Sequence, residues 1–88
     1  MIQKTSNRAY VATVTMVFQL HVVTKVESIQ GEVTFSLEIH EGVWRDEGLP
    51  TKGIKVVLAD PRIKGNKWRA HKARFYRPED ESQPELKF

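Results

Sequence analysis

Apolar and polar positions alternate with a period of two along most of the first forty residues, and the longest such run begins at Tyr10. Its even positions read Tyr10, Ala12, Val14, Met16, Phe18, Leu20, Val22, Thr24 and Val26. The odd positions read Val11, Thr13, Thr15, Val17, Gln19, His21, Val23 and Lys25. This spacing, with β-branched residues in both rows, predicts extended strand. A run of this length at about 3.3 Å per residue reaches roughly 55 Å, too far for one straight strand in a small domain. It must bend around a barrel, break at a bulge or project as a ribbon.

The later pattern is shorter and more punctuated. Glu27 to Glu32 reads as a turn centred on Gly31. In Val33 to His40, Val33, Phe35, Leu37 and Ile39 share one face, while Thr34, Ser36, Glu38 and His40 share the other. That is the cleanest half-buried strand in the chain. Glu41 to Gly53 is a loop, Ile54–Leu58 a short apolar strand, and Asp60-Pro61 and Gly65-Asn66 are turns. The first thirty residues hold no Gly or Pro, whereas the four prolines stand at 50, 61, 78 and 84.

Residues 62–77 resist a single period. As a strand, Trp68, Ala70, Lys72, Arg74 and Tyr76 share one face and Arg69, His71, Ala73, Phe75 and Arg77 the other. Neither face is apolar. As a helix, Trp68, Phe75 and Tyr76 cluster on one side, Asn66 caps the start and Pro78 stops the end. Lys67 and Arg69 would then sit at the helix's positive end, and Lys72 would interrupt the apolar side. The strand is preferred, as the second arm of a hairpin with Ile54–Leu58. Residues 78–88 read as a disordered acidic tail after a single β domain over residues 1–77.

Charge sharpens this picture. Residues 62–77 carry seven Lys or Arg, no acid, and three of the eight aromatic rings, while the net charge of the whole chain is only +3. A basic segment interleaved with flat rings suits a polyanion with stacked bases. Arg62, Lys64, Lys67, Arg69, Lys72, Arg74 and Arg77 are candidate phosphate ligands, and Trp68 and Tyr76 candidate stacking faces. Trp44, beside Arg45 in the loop, is a further stacking candidate or else a loop anchor on the core. Phe75 is the ring expected to be buried. The plain reading of the segment is a charged edge strand guarded against aggregation, but seven bases without one acid exceed that need.

Composition narrows the classes. At 88 residues the chain makes one domain with a thin core, so homo-oligomerisation is expected. The absence of cysteine excludes disulfides, thiolate nucleophiles and Cys-based metal sites, and suits a cytoplasmic protein. His21, His40 and His71 match no local metal spacing. Met1 to Leu20 superficially suggests a signal peptide, but the run alternates in polarity and leads to no small-residue cleavage site. No stretch reaches membrane-spanning length. Glu38 and His40 would point the same way from one strand, yet no nucleophile, phosphate-cradling loop or ligand set accompanies them. The expectation is a binding protein without cofactor, not an enzyme. In the tail, Leu86 and Phe88 are candidate anchors for a protein partner.

Three segments resemble single-stranded DNA-binding proteins of the oligonucleotide-binding (OB) fold. Val33-Thr-Phe-Ser-Leu-Glu-Ile39 is similar to their second strand, Trp68-Arg-Ala-His-Lys-Ala-Arg-Phe75 to their closing strand, and the acidic tail ending at Phe88 to their partner-docking tails. The resemblance implies an all-β, OB-like antiparallel barrel or strongly bent sheet. It also implies sequence-tolerant binding of single-stranded DNA or RNA, with Trp44, Trp68 and Tyr76 stacking on bases. A second likeness runs from Ile39 to Gly48 and over Lys52-Gly-Ile54, which look like the strand–loop–strand of the positive-cofactor transcriptional coactivators. It implies a dimer that binds single strands and would make the basic segment a helix. The rival from another class is a small protein-interaction subunit or inhibitor, of a phage or plasmid accessory type, whose basic face meets an acidic protein.

Overall fold

A computed structural model describes residues 8–88; residues 1–7, the start of the expected domain, lie outside the described residues. Five strands, β1 (Ala9–Val17), β2 (His21–Val26), β3 (Glu32–Ser36), β4 (Lys55–Lys64) and β5 (Lys67–Phe75), close into a barrel in the order β1-β2-β3-β5-β4. The fold is the small all-β barrel expected, with one difference: β3 and β5 run parallel. This connectivity is that of an OB-like barrel.

The long first run is two strands. The chain reverses at Phe18–Leu20, where the Phe18 N–H donates to the His21 carbonyl at 2.8 Å and Val17 faces Val22. A bulge between Val14 and Met16 also shifts the phase of β1. Ala12 and Val14 belong to the interior, Val17 packs against it, and Met16 and Phe18 emerge into solvent. Thr24, the one polar residue in the inward row Val22, Thr24, Val26 of β2, is fully buried and donates its hydroxyl to the Val33 carbonyl at 2.8 Å.

Three further expectations are corrected. The strand from Val33 stops at Ser36, and a 3₁₀ turn (Ile39–Glu41) follows. Ile39, expected on the buried face, is 96% exposed. Asp60-Pro61 is no turn, because β4 continues through it to Lys64. The true reversal is at Gly65-Asn66, where a positive φ of 65° at the first central residue is the hairpin geometry that glycine adopts without strain.

The ambiguous basic segment is the strand β5, and its lack of an apolar face has a geometric cause. Ala70 and Ala73 both point into the barrel, three residues apart. Strict alternation forbids this, so the strand changes phase at His71–Lys72. Opposite, β4 carries the one non-glycine residue with positive φ among those described, Asp60 at 55°. The His71 ring nitrogen Nδ1 lies 3.2 Å from the Asp60 carbonyl. With the phase change included, Trp68, Ala70, Ala73 and Phe75 face inward, and Lys67, Arg69, His71, Lys72 and Arg74 face outward. The strand is fully amphipathic.

The interior is filled by Ala12, Val14, Val22, Val26, Val33, Phe35, Val43, Val56, Leu58, Ala70 and Ala73. β3 pairs with β5 only at Val33–Trp68 and Thr34–Arg69. Val43 to Arg45 completes the seam, with Ala73 N–H to the Val43 carbonyl and Arg45 N–H to the Ala73 carbonyl, both at 2.9 Å.

The tail, expected to be disordered, is ordered. A single helical turn, α1 (Pro78–Glu81), buries Asp80. Both carboxylate oxygens of Asp80 accept from the Arg74 guanidinium at 2.9 Å, and Oδ2 also accepts from the Arg77 N–H at 2.7 Å. Arg74 further donates to the Lys87 carbonyl at 3.1 Å and lies 5.5 Å from the Phe88 ring. Lys87 bridges back to Arg8.

Bonding to Arg74 holds the Asp80 carboxyl below the usual aspartate range, against the opposing effect of burial. The native form therefore gains stability from this group above the unfolded aspartate pKa. That contribution is lost as pH falls through the lowered native value. Removing one partner of a buried pair leaves an uncompensated charge, so Asp80→Ala should destabilise the fold by about 3 kcal/mol in urea titrations at neutral pH. The gap between variant and parent should narrow at strongly acidic pH.

Candidate nucleic-acid interface

The outward side of β5 and its neighbours build the site. In the β4–β5 hairpin, Arg62 faces Arg69 and Lys64 faces Lys67 directly across the ladder. Pairs two residues apart share a face, so two like-charged pairs stand in succession on one surface. Directly opposed like charges repel. Asp60 offsets only Arg62, through two bonds at 3.2 and 2.7 Å. The Arg62 hydrogen bond is the main reason that the Asp60 carboxyl is held below its ordinary value.

Beside this surface runs a groove of about 270 Å³. Thr34, Phe35 and Ser36 of β3 form its floor, Leu20 and His21 one wall, and Lys67, Arg69 and His71 the other; Glu38, Glu41 and Val43 also line it. The strand order places it: Ser36 pairs with His21 of β2 on one side, and Thr34 with Arg69 of β5 on the other. On the β2 wall, Phe18 stacks on His21 with ring centroids 4.7 Å apart and planes 21° from parallel. Phe18 is 47% exposed.

The ten residues singled out by sequence divide sharply. Lys64, Lys67, Arg69 and Lys72 lie on the outward surface, with no ion pair or hydrogen bond from their side chains among the described residues. Arg62 is exposed but paired with Asp60. Arg74, expected to meet phosphate, is buried against Asp80. Arg77 donates to Asp46 at 2.8 Å, and the same carboxylate accepts from the Phe75 N–H at 2.8 Å.

The expected stacking rings are elsewhere. Trp44 is a core anchor: it stacks on Phe35 at 5.7 Å, meets Phe75 edge-on at 4.8 Å, and donates its indole N–H to the Gly48 carbonyl at 2.8 Å. Trp68 packs against the interior. Tyr76 lies 5.7 Å from the Lys55 ammonium, off the groove. In the tail, Phe88 is half-buried beside Arg74 and Leu86 is half-buried.

The Phe18–His21 pair was missed by sequence reasoning. Its signal lay in the length of the first run, which requires a reversal whose tip leaves rings exposed. A second grouping, whose members Glu38 and His40 the sequence already set side by side, is Glu38, His40 and Glu41, with donor atoms within 4.8 Å of one another. These are the described residues that could gather around a cation. The imidazole of His40 is 77% exposed, with only Glu38 beside it at 3.5 Å, and no further group orients it as ligating histidines require.

Among the described residues no helix is long and apolar enough to cross a membrane. Comparisons with protein-family models, curated proteins and solved structures return no match. The site is therefore interpreted from its own geometry.

The division between anchors and surface residues has a direct consequence. Trp44→Ala should lower unfolding stability by about 3 kcal/mol, because it removes the ring that stacks on Phe35 and meets Phe75 edge-on. Arg69→Ala, on the exposed face, should stay within about 0.5 kcal/mol of the parent in the same denaturant titration.

Proposed function

We propose that the protein binds single-stranded nucleic acid with little sequence preference, along the outward side of β5 and across the β2–β3–β5 groove. The observation that carries this reading is the pair of like-charged cross-strand contacts, Arg62–Arg69 and Lys64–Lys67. Their repulsion is uncompensated at three of the four cations, and a string of phosphates would relieve it. Lys64, Lys67, Arg69 and Lys72 neutralise successive phosphates. On the groove floor the Ser36 hydroxyl, whose oxygen accepts from the Glu38 N–H at 3.0 Å, keeps its O–H to donate, and the exposed Phe18–His21 stack supplies a flat face for a base. The stacking role falls to Phe18, in place of Trp44, Trp68 and Tyr76.

Binding of a fluorescently labelled oligonucleotide, followed by anisotropy over a salt series, tests the proposal. Four phosphate contacts predict a log–log slope near −3 on single strands, and Lys67→Ala with Arg69→Ala should make it shallower by about 1.4. Phe18→Ala should weaken binding by about 1–3 kcal/mol while leaving the slope unchanged. A salt-independent signal, or none at low salt, would overturn the reading.

A further inference from the structure

The groove carries charges of both signs. Lys67 and Arg69 stand on its β5 wall, and Glu38 and Glu41 line it as well. Carboxylates repel phosphate, so a groove for phosphates alone has no use for them. No ion pair joins the two sets among the described residues, although they share one space of about 270 Å³. The register separates them along the floor. β5 runs parallel to β3 with Arg69 beside Thr34, which sets the cations alongside the first half of β3. Glu38 and Glu41 follow the end of β3, after Ser36.

Hydrogen-bonding capacity at that end is definite. An ionised carboxylate only accepts. The Glu38 and Glu41 carboxylates come within 4.8 Å of each other. The Ser36 oxygen accepts from the Glu38 N–H at 3.0 Å, which ties the hydroxyl next to them and leaves its proton to donate. One donor therefore stands beside two acceptors. Among the common bases, guanine alone has the complement on one edge: O6 accepts, and the adjacent N1–H and N2 amine donate. Adenine and cytosine place a single amine next to an acceptor. Thymine and uracil flank their one N–H with two carbonyls, which a pair of carboxylates repels. The volume lies at the small end of the range for ligand sites, which suits one base.

We propose that this end of the groove takes one guanine base from a bound single strand. Its N1–H and N2 amine donate to Glu41 and Glu38, and Ser36 donates to O6. The backbone phosphates stay with Lys67 and Arg69, and the carboxylates keep them out of the far end, so the base side of the strand enters there. This inference rests on the single-strand reading above and adds a preference at one position to binding that is otherwise sequence-tolerant.

Anisotropy titrations at about 50 mM salt test it. They compare a labelled oligothymidine of about 12 nucleotides with the same strand carrying one central guanine. The guanine should tighten binding by about tenfold, whereas adenine or cytosine in its place should not. Hypoxanthine, which lacks the N2 amine, should give only part of the gain. Glu38→Ala with Glu41→Ala should erase the guanine gain. With two negative charges gone, the same variant should bind oligothymidine more tightly than the parent, an effect that loss of structure would not produce. Circular dichroism checks that the variant is folded. Salt-dependent binding of both strands with equal affinity would overturn this inference and leave the single-strand reading standing. A guanine gain that survives in the folded double variant would overturn it too. No binding of either strand would overturn the reading beneath it, and this inference with it.

Discussion

The phase change in the β4–β5 hairpin is the constraint on which the site and part of the core depend. Without it, alternation from Trp68 would send Lys72 and Arg74 into the barrel and leave Ala73 and Phe75 in water. The left-handed backbone at Asp60 and the shift at His71–Lys72 turn the strand once, between Ala70 and Ala73. Inward, the strand then offers rings and small residues that fill a narrow barrel. Outward, it offers only bases. One local irregularity thus serves packing and electrostatics together, and the backbone strain at Asp60 is of a size that this packing can offset.

The outward bases are then sorted by their surroundings. Toward the C-terminal end, the helical turn and the last residues fold over Arg74 and bury it against Asp80, while Asp46 holds Arg77 and the Phe75 N–H. Those arginines close the structure. Toward the hairpin tip, no ion pair among the described residues holds Lys64, Lys67 or Arg69, although Glu38 and Glu41 line the groove beside them. The same segment therefore contributes structural cations at one end and free ones at the other. The +3 net charge of the chain understates how positive the tip is.

The barrel was legible in the sequence because period two, β-branched residues and turn signals all agree over β2, β3 and the first half of β4. What was hidden came from residues that interrupt the period without a compositional mark. The bulge after Val14 and the reversal after Val17 contain no Gly or Pro, so one run concealed two strands. At Asp60, an ordinary turn residue before a proline sits inside a strand because its partner strand shifts phase with it. The partial reading of the site has the same origin. Of the bases that charge concentration named as phosphate ligands, Lys64, Lys67, Arg69 and Lys72 lie on the outward side of the hairpin. Which arginines are neutralised depends on Asp46 and on Asp80 in a segment that composition alone marks as a solvated tail. Trp44 was legible only as a choice between anchor and ligand, and its contacts with Phe35 and Phe75 settle it as an anchor.

The central claim, that β5 changes phase between Ala70 and Ala73, can be tested in a chain that lacks cysteine. Single cysteines placed in turn at positions 67 to 73 report accessibility through their rate of thiol labelling under native conditions. The account predicts fast labelling at 67, 69, 71 and 72, with adjacent fast sites at 71 and 72, and slow labelling at 68, 70 and 73. Strict alternation through the whole strand, with 73 fast and 72 slow, would contradict it.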